Sequence, residues 1–132
     1  MRTPPGRRPH RASRCDRGSA EPLLILPLVF VMVIAVVQVG VWAHAQHRAQ
    51  AIASQTLAAA RAFDGSTASA HDRAEQARTQ LGGGVLHRME VDVDRTADLA
   101  RVRVRGQAVG LVPGTALPVS SEMAGPVENL NP

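Results

Sequence analysis

From Leu23 to Ala43 the chain carries twenty-one residues with one polar interruption, Gln38. A helix rises about 1.5 Å per residue, so this run would be about 31 Å long, roughly the thickness of a bilayer's hydrocarbon core. Arg2, Arg7, Arg8, Arg11, Arg14 and Arg17 precede it, opposed by Asp16 and Glu21. Behind it, His44 to Pro132 holds nine Arg against nine Asp or Glu, so the whole formal excess of +4 lies on the N-terminal side. A basic flank beside a first span stays in the cytoplasm. The reading is a single-pass cell-membrane protein with its N-terminus cytoplasmic and its C-terminal module extracytoplasmic.

That partition governs the sequence pI of about 11.2. Phosphate binding needs clustered basic residues, and base stacking needs aromatics. The exported part is charge-balanced, and the whole chain has two Phe, one Trp and no Tyr. The basic tail lies where anionic lipid attracts Arg. Membrane lipid is therefore an expected partner, and nucleic acid is not. All fifteen basic residues are Arg, a pattern of coding bias rather than of separate selected sites.

Residues 1–17 have no apolar periodicity and are expected to be disordered, so residues 1–21 read as a basic cytoplasmic tail and possible leader. The single cysteine, Cys15, lies on the reducing side and permits no disulfide framework. Ala43-His44-Ala45 has the small-x-small form of a signal-peptidase site. Yet the apolar run exceeds an ordinary secretory core of 7–15 residues, and the helical pattern continues through the site. An uncleaved span is preferred.

From Ala43 to Phe63 the chain is rich in Ala, Gln, Leu and Arg, with no Gly or Pro. Span and extension together predict one helix over 22–63, about 63 Å long, disturbed near Pro27. Ala45, Ala49, Ile52, Thr56, Ala59 and Phe63 form a stripe of mostly small side chains. The strict spacing of Ala45, Ala49 and Ala53 allows another helix to approach closely. Ala45, Ala49, Ile52 and Ala53 are therefore expected to face partner helices.

Residues 64–132 read as a small α/β module with a polar C-terminal tail. Ser69-Ala70-His71-Asp72 resembles a capping box; Ala70, Ala74, Ala77 and Leu81 make one helix face, and Gly82-Gly83-Gly84 stops it. Met89, Val91 and Val93 alternate with Glu90, Asp92 and Asp94; Val102 and Val104 alternate with Arg101, Arg103 and Arg105. Those five apolar residues are the candidate hairpin core. A loop over Arg95–Asp98 would set Val91 opposite Val102, Met89 opposite Val104 and Val93 opposite Ala100. On the other face Asp92 would meet Arg101, and Glu90 would meet Arg103. Val109 to Gly114 reads as a turn region, and Leu117 to Met123 as a weaker third strand. The fold class is α+β: a long transmembrane helix with an extramembrane extension, then one helix and a two- to three-stranded antiparallel sheet.

Candidate chemistry is sparse. Glu90, Asp92 and Asp94 share a strand face, but the facing arginines make ion pairing the better account. His44 and His47 stand three apart on a helix with no carboxylate or thiol nearby in sequence, so interfacial polar residues explain them better than a metal site. The glycine triplet lacks a phosphate-loop pattern, and Ser120-Ser121 has no nucleophile elbow. No enzyme, cofactor, metal or small-molecule substrate is expected.

Arg17-Gly18-Ser19-Ala20-Glu21, set directly before Leu23-Leu24-Ile25-Leu26-Pro27-Leu28, resembles the start of the TadE-like proteins, pilin-like components of tight-adherence pilus systems. The likeness continues through Val37 to His47 and the alanine-rich stretch to Ala62. The glycine triplet, the two charged strands and Val112-Pro113-Gly114 are similar to actinobacterial members, so the resemblance covers nearly all of residues 17–132. It implies a membrane-held pseudopilin that packs with other pilin-like or pilus-assembly membrane proteins without catalysis. It also implies prepilin-peptidase processing after Gly18, with Ser19 as the new N-terminus. The family carries glutamate at the fifth mature position, whereas Glu21 would be third. Glu21 is thus either a displaced assembly carboxylate or an interfacial acid that suits a helix N-terminus. The alternative function is a membrane-anchored or secreted envelope protein whose outer module binds a partner unrelated to pili.

Overall fold

A computed structural model of the chain describes residues 20–62 and 64–129. The readings for the basic tail, Cys15, Gly18, Ser19, Phe63 and the last residues of the C-terminal tail lie outside them. The first helix, α1, spans Ala20–Arg61, 42 residues, and passes unbroken through Pro27 and Gln38. It starts two residues earlier than expected from Pro22. A proline in the first turn gives up only an N–H that has no intrahelical partner.

The chain divides into two units, residues 1–33 and 34–132. In the first, α1 from Leu23 to Val33 is apolar and exposed along its length. The second contains the rest of α1, a helix α2 over Thr67–Leu81, and three strands, β1 Leu86–Arg95, β2 Leu99–Ala108 and β3 Leu117–Pro126. The strands form an antiparallel sheet in the order β1-β2-β3.

The chain leaves α1 through Ala62, Asp64 and Gly65. The Gly65 N–H donates to Ala62 O at 2.8 Å, and a Cβ there would collide with the carbonyl of Ala59. Only glycine allows so tight a reversal. The capping box of α2 lies three residues upstream of the expected Ser69–Asp72. Ser66 Oγ accepts the Ser69 N–H at 3.0 Å, and Ser69 Oγ accepts the Ser66 N–H at 2.8 Å. A hydroxyl can close the box as a carboxylate would, because it too accepts. Ala70, Ala74 and Ala77 form the buried face, and Gly82 caps the end.

The hairpin register differs from expectation by two residues. Val93 stands opposite Val102 and Val91 opposite Val104; Asp94 faces Arg101, Asp92 faces Arg103 and Glu90 faces Arg105. The pairs Val91 with Val102, Met89 with Val104, Val93 with Ala100, Asp92 with Arg101 and Glu90 with Arg103 do not form. The reason is a shorter loop. The Thr96 N–H donates to Leu99 O at 2.8 Å, and Thr96 Oγ1 accepts the Leu99 N–H at 3.1 Å, leaving only Ala97-Asp98 to turn the chain. A slip of two preserves which face each side chain occupies. Further along, Arg88 at φ 49 lies in a register shift between His87 and Glu90, so β1 carries one extra residue there.

Val93, Ala100, Val102, Val104, Ala108 and Val119 supply the sheet's share of the core, with Met89 and Val91 half-buried against it. α1 supplies Ala45, Ala49, Ile52 and Ala53, each 0% exposed. The stripe expected to face partner helices is thus covered by the chain itself, in one core with the sheet and with Ala70 and Ala77 of α2. A module this small cannot bury enough surface alone, and the extension of α1 completes its core.

Candidate functional site

The most apolar window of α1 has a mean hydropathy of 2.8 and is 0% buried within the chain, so the helix is long and apolar enough to cross a membrane. A core helix of a soluble domain would bury this surface. Leu23, Leu24, Leu26, Phe30 and Val36 are instead among its exposed side chains. The backbone of Glu21 lies in the first helical turn.

Beyond the exposed stretch, α1 is fastened to the sheet and to the loop after β2 by side chains at every fourth position. Gln38 Nε2 donates to Val109 O at 3.3 Å, and Gln38 Oε1 accepts the Leu111 N–H at 2.7 Å. Trp42 Nε1 donates to Pro118 O at 3.1 Å, and Gln46 Nε2 to Ser120 O at 2.7 Å. Four-residue spacing puts all three on one helix face. At the far end Arg61 Nε donates to Pro126 O at 2.8 Å, and a Cβ on Gly125 would lie 3.0 Å from the Arg61 side chain. Arg48 holds the other helix: its Nη1 donates to Leu81 O at 2.6 Å and to Gly83 O at 2.9 Å. A cation there satisfies terminal carbonyls and suits the negative end of the dipole.

The two histidines are not brought into a metal site. His44 Nε2 accepts from Arg48 Nε at 3.1 Å, and His47 is exposed. Among the described residues no group of three or more His, Cys, Asp or Glu could hold a metal ion.

The outer face of the sheet carries Glu90, Asp92 and Asp94 on β1, Arg101, Arg103 and Arg105 on β2, and Glu122 on β3. Ion pairing was expected between β1 and β2. Among the described residues, the close pairs on this face instead run to β3: Arg103 to Glu122 at 2.7 Å and Arg101 to Glu122 at 3.6 Å. Arg103 stands opposite both Asp92 and Glu122, and the glutamate's extra methylene extends its reach. The hydrogen bond from Arg103 holds the Glu122 carboxyl below its ordinary range, helped by the charges of Arg103, Arg101 and Arg105. The pairs are exposed and act mainly on register, since surface ion pairs contribute about 0–1 kcal/mol.

A concavity of about 510 Å³ lies between the end of α2 and the start of β1, lined by Glu75, Arg78, His87 and Arg88 among others. Glu75 is already engaged by Arg78 at 3.3 Å, so this lining offers no free acid beside a nucleophile.

Sequence reasoning marked Gln38 only as an interruption and did not assign Trp42, Gln46 or Arg48. The signal was there in the spacing of 38, 42 and 46, but their partners lie more than seventy residues away in the chain. Comparison with known families matches residues 19–61 to the TadE-like protein family. The matched stretch coincides with α1 to within one residue at its start. The resemblance read from the sequence runs on through the sheet; the family match is confined to the helix. No curated protein and no solved structure matches the chain.

Proposed function

We propose that this chain, whose residues 19–61 are TadE-like, is a membrane-anchored pilin-like component of a tight-adherence type pilus or secretion apparatus. It acts by helix packing and not by catalysis. The observation that carries this reading is the division of labour along α1. One face of residues 45–60 is committed to the chain's own core, whereas the apolar side chains from Leu23 to Val37 remain largely exposed. Contact with lipid and with other pilin-like or assembly proteins therefore falls to the N-terminal stretch, where hydrocarbon makes packing rather than water exclusion the discriminating force. The stripe at Ala45, Ala49, Ile52 and Ala53 plays no part in it. Processing after Gly18, with Ser19 as the new N-terminus, belongs to the same reading.

A deletion strain of the source organism tests it. Surface pili are expected to be lost and to return with the wild-type chain. A Phe30→Arg chain, charged in mid-span, should not restore them. Intact mass of membrane-extracted wild-type protein should begin at Ser19. Normal piliation in the deletion strain would overturn the role, and a mass retaining Met1 would overturn the processing.

A further inference from the structure

The segment joining β2 to β3, Val109–Ala116, contains no charged or acidic-amide side chain, and the charge-free stretch extends from Gly106 to Ser121. Leu111 and Val112 stand 49% and 47% exposed, large apolar side chains on an outer-module loop. The loop is fastened to α1 inside the apolar run, by the two hydrogen bonds of Gln38 to Val109 O and the Leu111 N–H. Gln38 precedes Trp42 by one helical turn, about 6 Å along the axis. A span reaching from Leu23 to Trp42 would be about 30 Å long, with the tryptophan at the interface it favours. Gln38, and the loop bonded to it, then lie about 6 Å below that level, within the 5–10 Å depth at which interfacial segments seat their apolar residues.

At this interfacial depth each backbone polar group satisfied within the protein lowers the cost of seating the loop, and several of this loop's groups are satisfied so. The Val109 N–H donates to Val85 O at 3.0 Å, and its carbonyl accepts from Gln38. Val112 O accepts both the Thr115 N–H at 3.1 Å and Thr115 Oγ1 at 2.6 Å. Gly110 lets the loop close this way, because a Cβ there would lie 2.6 Å from Thr115 Oγ1. This accounts for the one polar residue in the apolar run: Gln38 supplies both a donor and an acceptor to a loop that lipid cannot solvate.

We propose that the Val109–Ala116 loop is a second membrane contact, seated in the outer leaflet beside α1 with Leu111 and Val112 among the lipid. The proposal rests on the membrane-anchored reading above. Lipid, rather than a second copy of the chain, is the occupant because Gln38 bonds the loop to a stretch of α1 whose Val36, Val37 and Val39 are exposed, and the loop carries no charge to orient a protein partner.

The full chain with Cys15→Ser tests it, carrying one new cysteine at Met32, Leu111 or Ala97 and labelled with an environment-sensitive nitrobenzoxadiazole dye. Each is reconstituted into phosphatidylcholine–phosphatidylglycerol vesicles containing acyl-brominated lipid. The dyes at 32 and 111 are expected to lose most of their emission to bromine, and the dye at 97, on the hairpin turn, to keep it. Adding Gln38→Leu should restore emission at 111 and leave quenching at 32 unchanged. Quenching at 32 with none at 111 would overturn the proposal and spare the anchor. No quenching at either position would instead overturn the anchor. Emission at 111 that is shielded from water, insensitive to bromine and dependent on protein density would identify a second copy as the occupant and overturn the lipid assignment. Undiminished quenching at 111 in the Gln38→Leu chain would remove Gln38 from its assigned role.

Discussion

Thr56 sits on the α1 stripe at 0% exposure, and among the described residues its hydroxyl has no hydrogen-bond partner. An unpaired buried hydroxyl costs about 1–3 kcal/mol by mutational measures, and valine has nearly the same shape. Thr56→Val is therefore expected to raise the thermal unfolding midpoint of the detergent-solubilised chain, followed by circular dichroism. An unchanged or lowered midpoint would show that the hydroxyl contributes to the fold. At this scale the sequence was legible in one direction only. The helical spacing of Ala45, Ala49 and Ile52 marked a packed face, but small side chains say that something approaches closely, not what. Gln38 was opaque for a related reason: its partners, Val109 and Leu111, are brought near only by the completed sheet.

Among the elements, the hairpin separates what a pattern can carry from what a turn decides. Alternation assigned Val102 and Val104 to the core and Arg101 and Arg103 to solvent; in the structure the two valines are buried, Arg101 is exposed and Arg103 is half-buried. Alternation has a period of two, so it cannot distinguish registers two residues apart. The choice falls to Thr96, whose backbone and side chain both bond Leu99 and shorten the loop. Energetics should follow burial rather than charge. Val102 is 0% exposed, and truncation to alanine removes about two methyl equivalents and leaves a void, a loss of about 1–3 kcal/mol. Asp92 is exposed and among the described residues forms no close ion pair, so Asp92→Ala should change stability by less than about 0.5 kcal/mol. Denaturant unfolding of the two variants checks the contrast; equal losses would put the sheet's stability on its charged face.

For the whole molecule, a helix long and apolar enough to cross a membrane was legible from the apolar run, because length and composition are properties that folding does not rearrange. The proposed topology rests on the excess of arginine before that run. Protease added to intact spheroplasts should digest the α2 and sheet module and spare an N-terminal tag; the reverse pattern would overturn the orientation. What composition could not convey is how the sheet ends at β3. Among the described residues that strand has no strand neighbour on one side, yet its carbonyls at Pro118, Ser120 and Pro126 accept from Trp42, Gln46 and Arg61. Pro118 and Pro126 also lack an N–H to offer. An incoming strand would meet occupied carbonyls or missing donors toward both ends of this border, so pairing along β3 is obstructed there. Growth of the sheet past β3 would first have to displace Trp42, Gln46 and Arg61 from the carbonyls they occupy.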